Sequence, residues 1–168
     1  MNKRTLRVLA ALAVLASVAL AACGGSSGPT KQQYTARANG ICKTAGTQIK
    51  PLVSHITTLA ASLLTGGTAS AHKLAAAVSQ LHEIAAADLA KLRKLRQPGG
   101  DHAAIEKFLT PLSTVVKAIG SAATTLTGSQ PLAALALLQQ VQPTAAQVTT
   151  AAQSYGLTRC EQILGSLG

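Results

Sequence analysis

Three cysteines, four histidines and five carboxylates are the side chains from which a metal ligand or acid–base group would first be drawn. The carboxylates Glu83, Asp88, Asp101, Glu106 and Glu161 are scattered. Asp101 stands where it would cap a helix, and Asp88 where it would pair with Lys91 three residues on. His102 and Glu106 lie one helical turn apart and would supply half of a metal site. A metal site needs three or four ligands, and His55, His72 and His82 fall on separate turns or other helices, so none is expected. There is no Cys-x-x-Cys, no Gly-x-Ser-x-Gly and no glycine-rich phosphate loop. Gly66-Gly67 and Gly99-Gly100 read as helix stops. Nothing here supports catalysis, and no cofactor is implied. The thiols remain, and Cys23 stands apart from Cys42 and Cys160.

Cys23 closes a characteristic segment. Lys3, Arg4 and Arg7 form a positive head, and Val8 to Ala19 is an apolar run broken only by Ser17. Leu20-Ala21-Ala22 lead into Cys23, and Gly24-Gly25-Ser26-Ser27 follow. A charged head, a short apolar core and a small-residue end describe a secretory signal. The run is shorter than the roughly 20 residues of a transmembrane helix. Leu20-Ala21-Ala22-Cys23 resembles the lipobox of bacterial lipoproteins at all four positions. The resemblance implies a diacylglyceryl thioether on Cys23, cleavage before it, and an acyl chain such as palmitate on the new terminus. Residues 1–22 are then a lipoprotein signal peptide and 23–29 the lipidated cysteine with a flexible Gly/Ser linker, at most about 20 Å long. Residues 30–168 form one helical domain. The expected location is extracytoplasmic, anchored to the cell membrane by an N-terminal lipid.

In an exported chain the remaining pair, Cys42 and Cys160, is most economically a disulfide. Neither a zinc site nor reactive thiols have support in the neighbouring residues. Closing a loop of about 118 residues is worth on the order of 4–5 kcal/mol by the chain-entropy model. The formal charge is +10; without Lys3, Arg4 and Arg7 it is about +7. A basic chain at a membrane points to anionic lipid or acidic envelope polymers. Nucleic acid is not expected, because export and the near-absence of stacking aromatics (Tyr34, Phe108 and Tyr155 alone) argue against it.

Alanine, leucine, threonine and valine dominate, which favours helix and an aliphatic core. Four apolar stripes follow in steps of three and four. The first, from near Thr30 with Gln33 at the capping-box position, runs Tyr34, Ala38, Ile41, Ala45, Ile49, Leu52, Ile56, Leu59, Leu63, with Pro51 as a kink or junction. The second, about Ser70 to Arg96, carries Leu74, Val78, Leu81, Ala85, Leu89, Leu92 and Leu95. The third, from Asp101 to Gly128, carries Ile105, Leu109, Leu112, Val116, Ile119, Ala123 and Leu126, with a kink expected at Pro111. The fourth follows Ser129-Gln130-Pro131 and carries Leu135, Leu138, Ala145, Val148, Ala152 and Tyr155, with a kink at Pro143 and a C-cap at Gly156. A short tail, Thr158 to Leu167, would add a turn or two of helix. Short loops make neighbours antiparallel. The expected fold is all-α: an up-down-up-down four-helix bundle with proline-kinked helices and one disulfide joining its N- and C-terminal ends. That topology sets Lys91, Arg93, Lys94 and Arg96 at the membrane-proximal end with Lys31, Arg37, Lys43 and Arg159. The four form a basic patch suited to anionic lipid, or cations that complement a helix C-terminus and face water.

Two short motifs, Tyr34-Thr35-Ala36-Arg37-Ala38-Asn39-Gly40-Ile41-Cys42 and Ala151-Ala152-Gln153-Ser154-Tyr155-Gly156-Leu157-Thr158-Arg159-Cys160, resemble those of small exported helical lipoproteins of high-GC actinobacteria. That resemblance implies the same cysteine pairing and an Ala/Leu core, and carries no activity with it. The expected function is that of a membrane-anchored envelope lipoprotein acting as a non-catalytic interaction or binding module toward a protein or envelope polymer. The alternative is a carrier of a small hydrophobic ligand such as a lipid, for which prolines would splay the helices around an apolar cavity.

Overall fold

The computed structural model describes residues 28–64, 68–128 and 130–165. The signal segment, Cys23 with most of its linker, the Gly66-Gly67 stop and Ser129 lie outside the described residues. Every element among those described is an α-helix: α1 (Lys31–Leu64), α2 (Thr68–Lys94), α3 (His102–Thr127), α4 (Pro131–Gln140), α5 (Gln142–Tyr155) and α6 (Thr158–Gly165). None is long and apolar enough to cross a membrane.

Local chemistry explains most boundaries. At the start of α1 the Thr30 amide donates to Gln33 Oε1 at 3.0 Å and the Gln33 amide to Thr30 Oγ1 at 3.2 Å. This reciprocal pair satisfies two amides that helix geometry leaves without partners. Pro51 and Pro111 sit inside α1 and α3, and both helices continue through them. The many helical threonines turn their hydroxyls onto carbonyls one turn back, as Thr57 does to Val53 and Thr124 to Gly120. A side chain that competes for the backbone elsewhere is thereby satisfied within the helix. Gly156 ends α5 at φ +91°, a left-handed conformation that a glycine adopts without Cβ strain.

The fourth expected helix is two. The chain turns at Val141, and α5 starts at Gln142 with Pro143 in its first turn. A proline there gives up an amide that no carbonyl was waiting for, so Pro143 begins a helix instead of bending one. The turn also changes the phase of the stripe. Leu135, expected inside, is exposed, and Ala134 is buried in its place. The first three stripes hold: their residues are buried or packed against the core, apart from the half-buried Ala85.

α1 packs on α2, α2 on α3, and α3 on both α4 and α5; α6 lies against α5 and α1. The Cys42–Cys160 disulfide joins α1 to α6, with Cα atoms 5.0 Å apart. The largest fully buried side chains are Tyr34, Ile105, Phe108, Leu109, Val148 and Leu157. They gather where α1 and α3 begin and α5 ends. Beyond them the core is aliphatic and small, with Ala75, Ala77, Val78, Ala122, Ala123 and Leu126. Close approach there depends on Gly120: a Cβ at that position would stand 2.7 Å from Cε1 of His82, whose ring lies over the α3 backbone.

Candidate functional site

The described chain begins beside the connection from α2 to α3. A Cβ on Gly28 would stand 3.4 Å from the Gln97 carbonyl oxygen and 3.7 Å from the Gly99 nitrogen. Cys23 is five residues earlier, a reach of at most about 17 Å. The cations at the end of α2 are therefore near the point where the chain enters. Arg93, Lys94 and Arg96 are exposed, as are Arg37 and Lys43. Lys91 is partly neutralised: its ammonium donates to Asp88 Oδ1 at 2.7 Å. Arg159 donates from its guanidinium to Gln162 Oε1 at 2.9 Å, and its backbone amide to Asn39 Oδ1 at 3.0 Å. Asn39 also donates to the Gly156 carbonyl at 3.2 Å, so one amide side chain clamps the α5–α6 junction onto α1.

The same end holds a tyrosine pair. Tyr155 donates its hydroxyl to Asp101 Oδ2 at 2.6 Å, and Lys31 stands 4.5 Å from the centre of the Tyr155 ring, a cation–π contact. Tyr34 meets that ring edge-on, centroids 5.9 Å apart. Asp101 thus has a different role from the expected one. It precedes α3, but its side chain makes no capping bond; the carboxylate instead receives a phenol 54 residues away in sequence. Burial, then the hydrogen bond to Asp101, pushes the Tyr155 phenol up. Burial, then the charge of Glu106, raises that of Tyr34. Phenols held above 10 stay protonated near neutral pH and are poor general bases. The Tyr34 hydroxyl is buried without a hydrogen-bond partner in the structure.

The remaining polar groups do not converge. His102 Nδ1 is 2.7 Å from Gln97 Oε1, and Glu106 accepts from the Thr110 hydroxyl at 3.1 Å, so the His102–Glu106 pair is spent on neighbours. His82 Nδ1 lies 3.0 Å from the Val116 carbonyl, which can only accept; Nδ1 therefore carries the proton. Among the described residues no three or more His, Cys, Asp or Glu are grouped to hold a metal. Cys42 and Cys160 are consumed in their disulfide.

Two apolar features stand beside these polar groups. A partly open apolar cavity of about 80 Å³ lies between α1, α2, α3 and α6, lined by Ile49, Leu81, Phe108 and Val115 among others. Ligand cavities run to about 300–1,000 Å³. The second feature is α4, whose Leu132 is 80% and Leu135 52% exposed. Stripe-reading assigned Leu135 inward and gave Leu132 no role. Two sequence signals mark the region nonetheless. The segment from Ala118 to Thr158 contains no Asp, Glu, Lys, Arg or His, and every charge behind the net +10 lies outside it. Within it, Pro131–Gln140 is apolar on all sides instead of along one stripe, the pattern of a helix covered all round. In comparisons with known proteins, no family model, curated protein or solved structure matches the chain.

Proposed function

We propose that the protein is a lipid-anchored module of the cell envelope that works by binding a partner and not by catalysis. In this reading residues 1–22 are removed on export, Cys23 carries a diacylglyceryl group, and the helical domain stands just outside the membrane. The bundle runs up-down-up-down, with α4 and α5 as the two halves of a broken fourth rod. Arg93, Lys94 and Arg96, close to the chain's point of entry, rest against anionic headgroups. Each contributes about 1 kcal/mol at such a surface and reinforces a single lipid anchor.

The exposed leucines of α4 carry the proposal. α3 has 26 residues and is about 39 Å long; α4 follows its far end. An apolar helix at the end away from the tether is where a tethered module would meet a partner. The absence of converging acid–base groups among the described residues is consistent with this. The carrier alternative gains little from a cavity near 80 Å³, which is smaller than an acyl chain needs.

Native mass spectrometry of the full chain, extracted from the membrane that it inhabits, tests the reading. The expected result is a chain starting at Cys23, heavier by its acyl groups, and accompanied by a polypeptide. An unmodified Cys23 would overturn the anchoring. A lipid-sized adduct lost on denaturation, with no polypeptide, would replace the module by the carrier.

A further inference from the structure

We infer that the α4 face is a self-association surface, docking a second copy of this chain about a two-fold axis. The inference deepens the interaction-module reading and rests on it. It starts from Leu132 and Leu135, three residues apart and thus on one side of the helix, at 80% and 52% exposure. Large apolar side chains presented together mark a contact surface.

Charge selects the occupant. The chain carries +10 overall, or about +7 once its first three cations are gone. Two copies repel across most of their surfaces. A two-fold contact sets a patch against itself, so a patch of one sign meets the same sign. The stretch from Ala118 to Thr158 has no acidic, basic or histidine side chain, and so is the place where two copies meet without that cost. Lys31 and Lys107 line the groove between α3 and α5, and Lys117, the last charge before that stretch, lines a groove with His82 and Glu83 of α2. A bilayer fits this face less well, because interfacial helices carry lysine and arginine along their polar side. A two-fold axis running along the bundle leaves both chain starts at the same end, so that both tethers reach one membrane.

Size sets the strength. Stable interfaces bury about 800 Å² per partner. α4, with 10 residues, is about 15 Å long and needs the outer side of α5 to approach that area. The contact is weak in dilute solution and favoured when both copies are confined to one membrane, which raises their effective concentration.

The test uses the full chain in its membrane. With Cys42 and Cys160 paired, Leu135→Cys adds a reactive thiol on α4, and Gln48→Cys adds one on the exposed side of α1. Leu132→Cys serves as a second probe should Leu135→Cys fold poorly. Treatment with a short bis-maleimide is expected to convert the α4 variants to covalent dimers at least about tenfold more efficiently than Gln48→Cys. Adding Leu132→Glu to Leu135→Cys places like charges across the axis and is expected to abolish the excess. Cross-linking no better than Gln48→Cys overturns self-association. Two accompanying results then separate the causes. Adducts with a different polypeptide leave the interaction module standing with another occupant. Free labelling of Leu135→Cys by a water-soluble maleimide shows that nothing covers α4, and removes the module reading too.

Discussion

The end where the chain enters and the end formed around α4 are made from the same alanine-rich helices, yet they are held in different ways. At the first, α1, α3, α5 and α6 meet over Tyr34, Phe108 and Tyr155, joined by the Tyr155–Asp101 bond, the Asn39 clamp and the Cys42–Cys160 disulfide. At the second, Ala77 and Ala123 pack among Leu59, Leu74 and Leu126, α4 is short, and its Leu132 and Leu135 face outward. Directional bonds and a covalent link are concentrated where a tether would pull. Apolar surface is left where a partner would arrive. Rigidity and stickiness are thus assigned to opposite ends.

The largest test of this division is removal of the disulfide. Replacing Cys42 and Cys160 together by serine is expected to cost about 4–5 kcal/mol, read as a lower denaturant midpoint. Most of the early opening should appear in hydrogen exchange at α6 and the start of α1. Protection lost equally throughout would show that the two ends are not distinct. The next test addresses the small-residue half. Gly120→Ala drives a methyl into the His82 ring, and overpacking of that kind costs about 1–3 kcal/mol. An unchanged melting temperature would mean that His82 moves aside freely and that the α2–α3 contact is loose. The smallest effect is a gain. Tyr34→Phe removes a buried hydroxyl that lacks a partner, and the variant should be more stable by about 1 kcal/mol. The same pair of phenols sets an alkaline limit. Both are raised above the ordinary value of 10.0 in the folded chain, so the folded state holds their protons longer than the unfolded one. Their contribution is intact below pH 10 and falls as pH climbs beyond it. Tyr34→Phe should flatten that alkaline decline in a pH series of denaturation midpoints; an unchanged slope would assign the decline to other groups.

The first three helices were legible because their stripes keep one phase for more than six turns each, and nothing in the fold asks them to change it. The Thr30–Gln33 box and the Gly156 cap were legible for the same reason, since their partners are a few residues away. The break at Val141 was not. No glycine or proline marks that residue, and Pro143, two positions later, suits a helix start as well as a kink. Once the phase changed, Leu135 left the core. Asp101 was misread because capping is a local preference, whereas Tyr155 reaches it through the packing of α5 on α3. The disulfide follows from reading the chain as exported with two cysteines left to pair, and it is present. The α4 surface was missed because stripes record what is buried; the signal that would have found it is the long interval without charge.

The disulfide also decides how the molecule responds to tension. Suppose that the chain is pulled from its N-terminal side against its C-terminal end. The load passes down the first turns of α1 to Cys42, crosses one covalent bond to Cys160, and continues into α6. The residues between, a separation of 118 in sequence, are outside the line of force. They represent about 400 Å of extensible chain that never pays out. α2, α3, α4 and α5 therefore keep their shape under a stretch that strains the ends, and a cut anywhere within that loop leaves the two pieces joined through the disulfide.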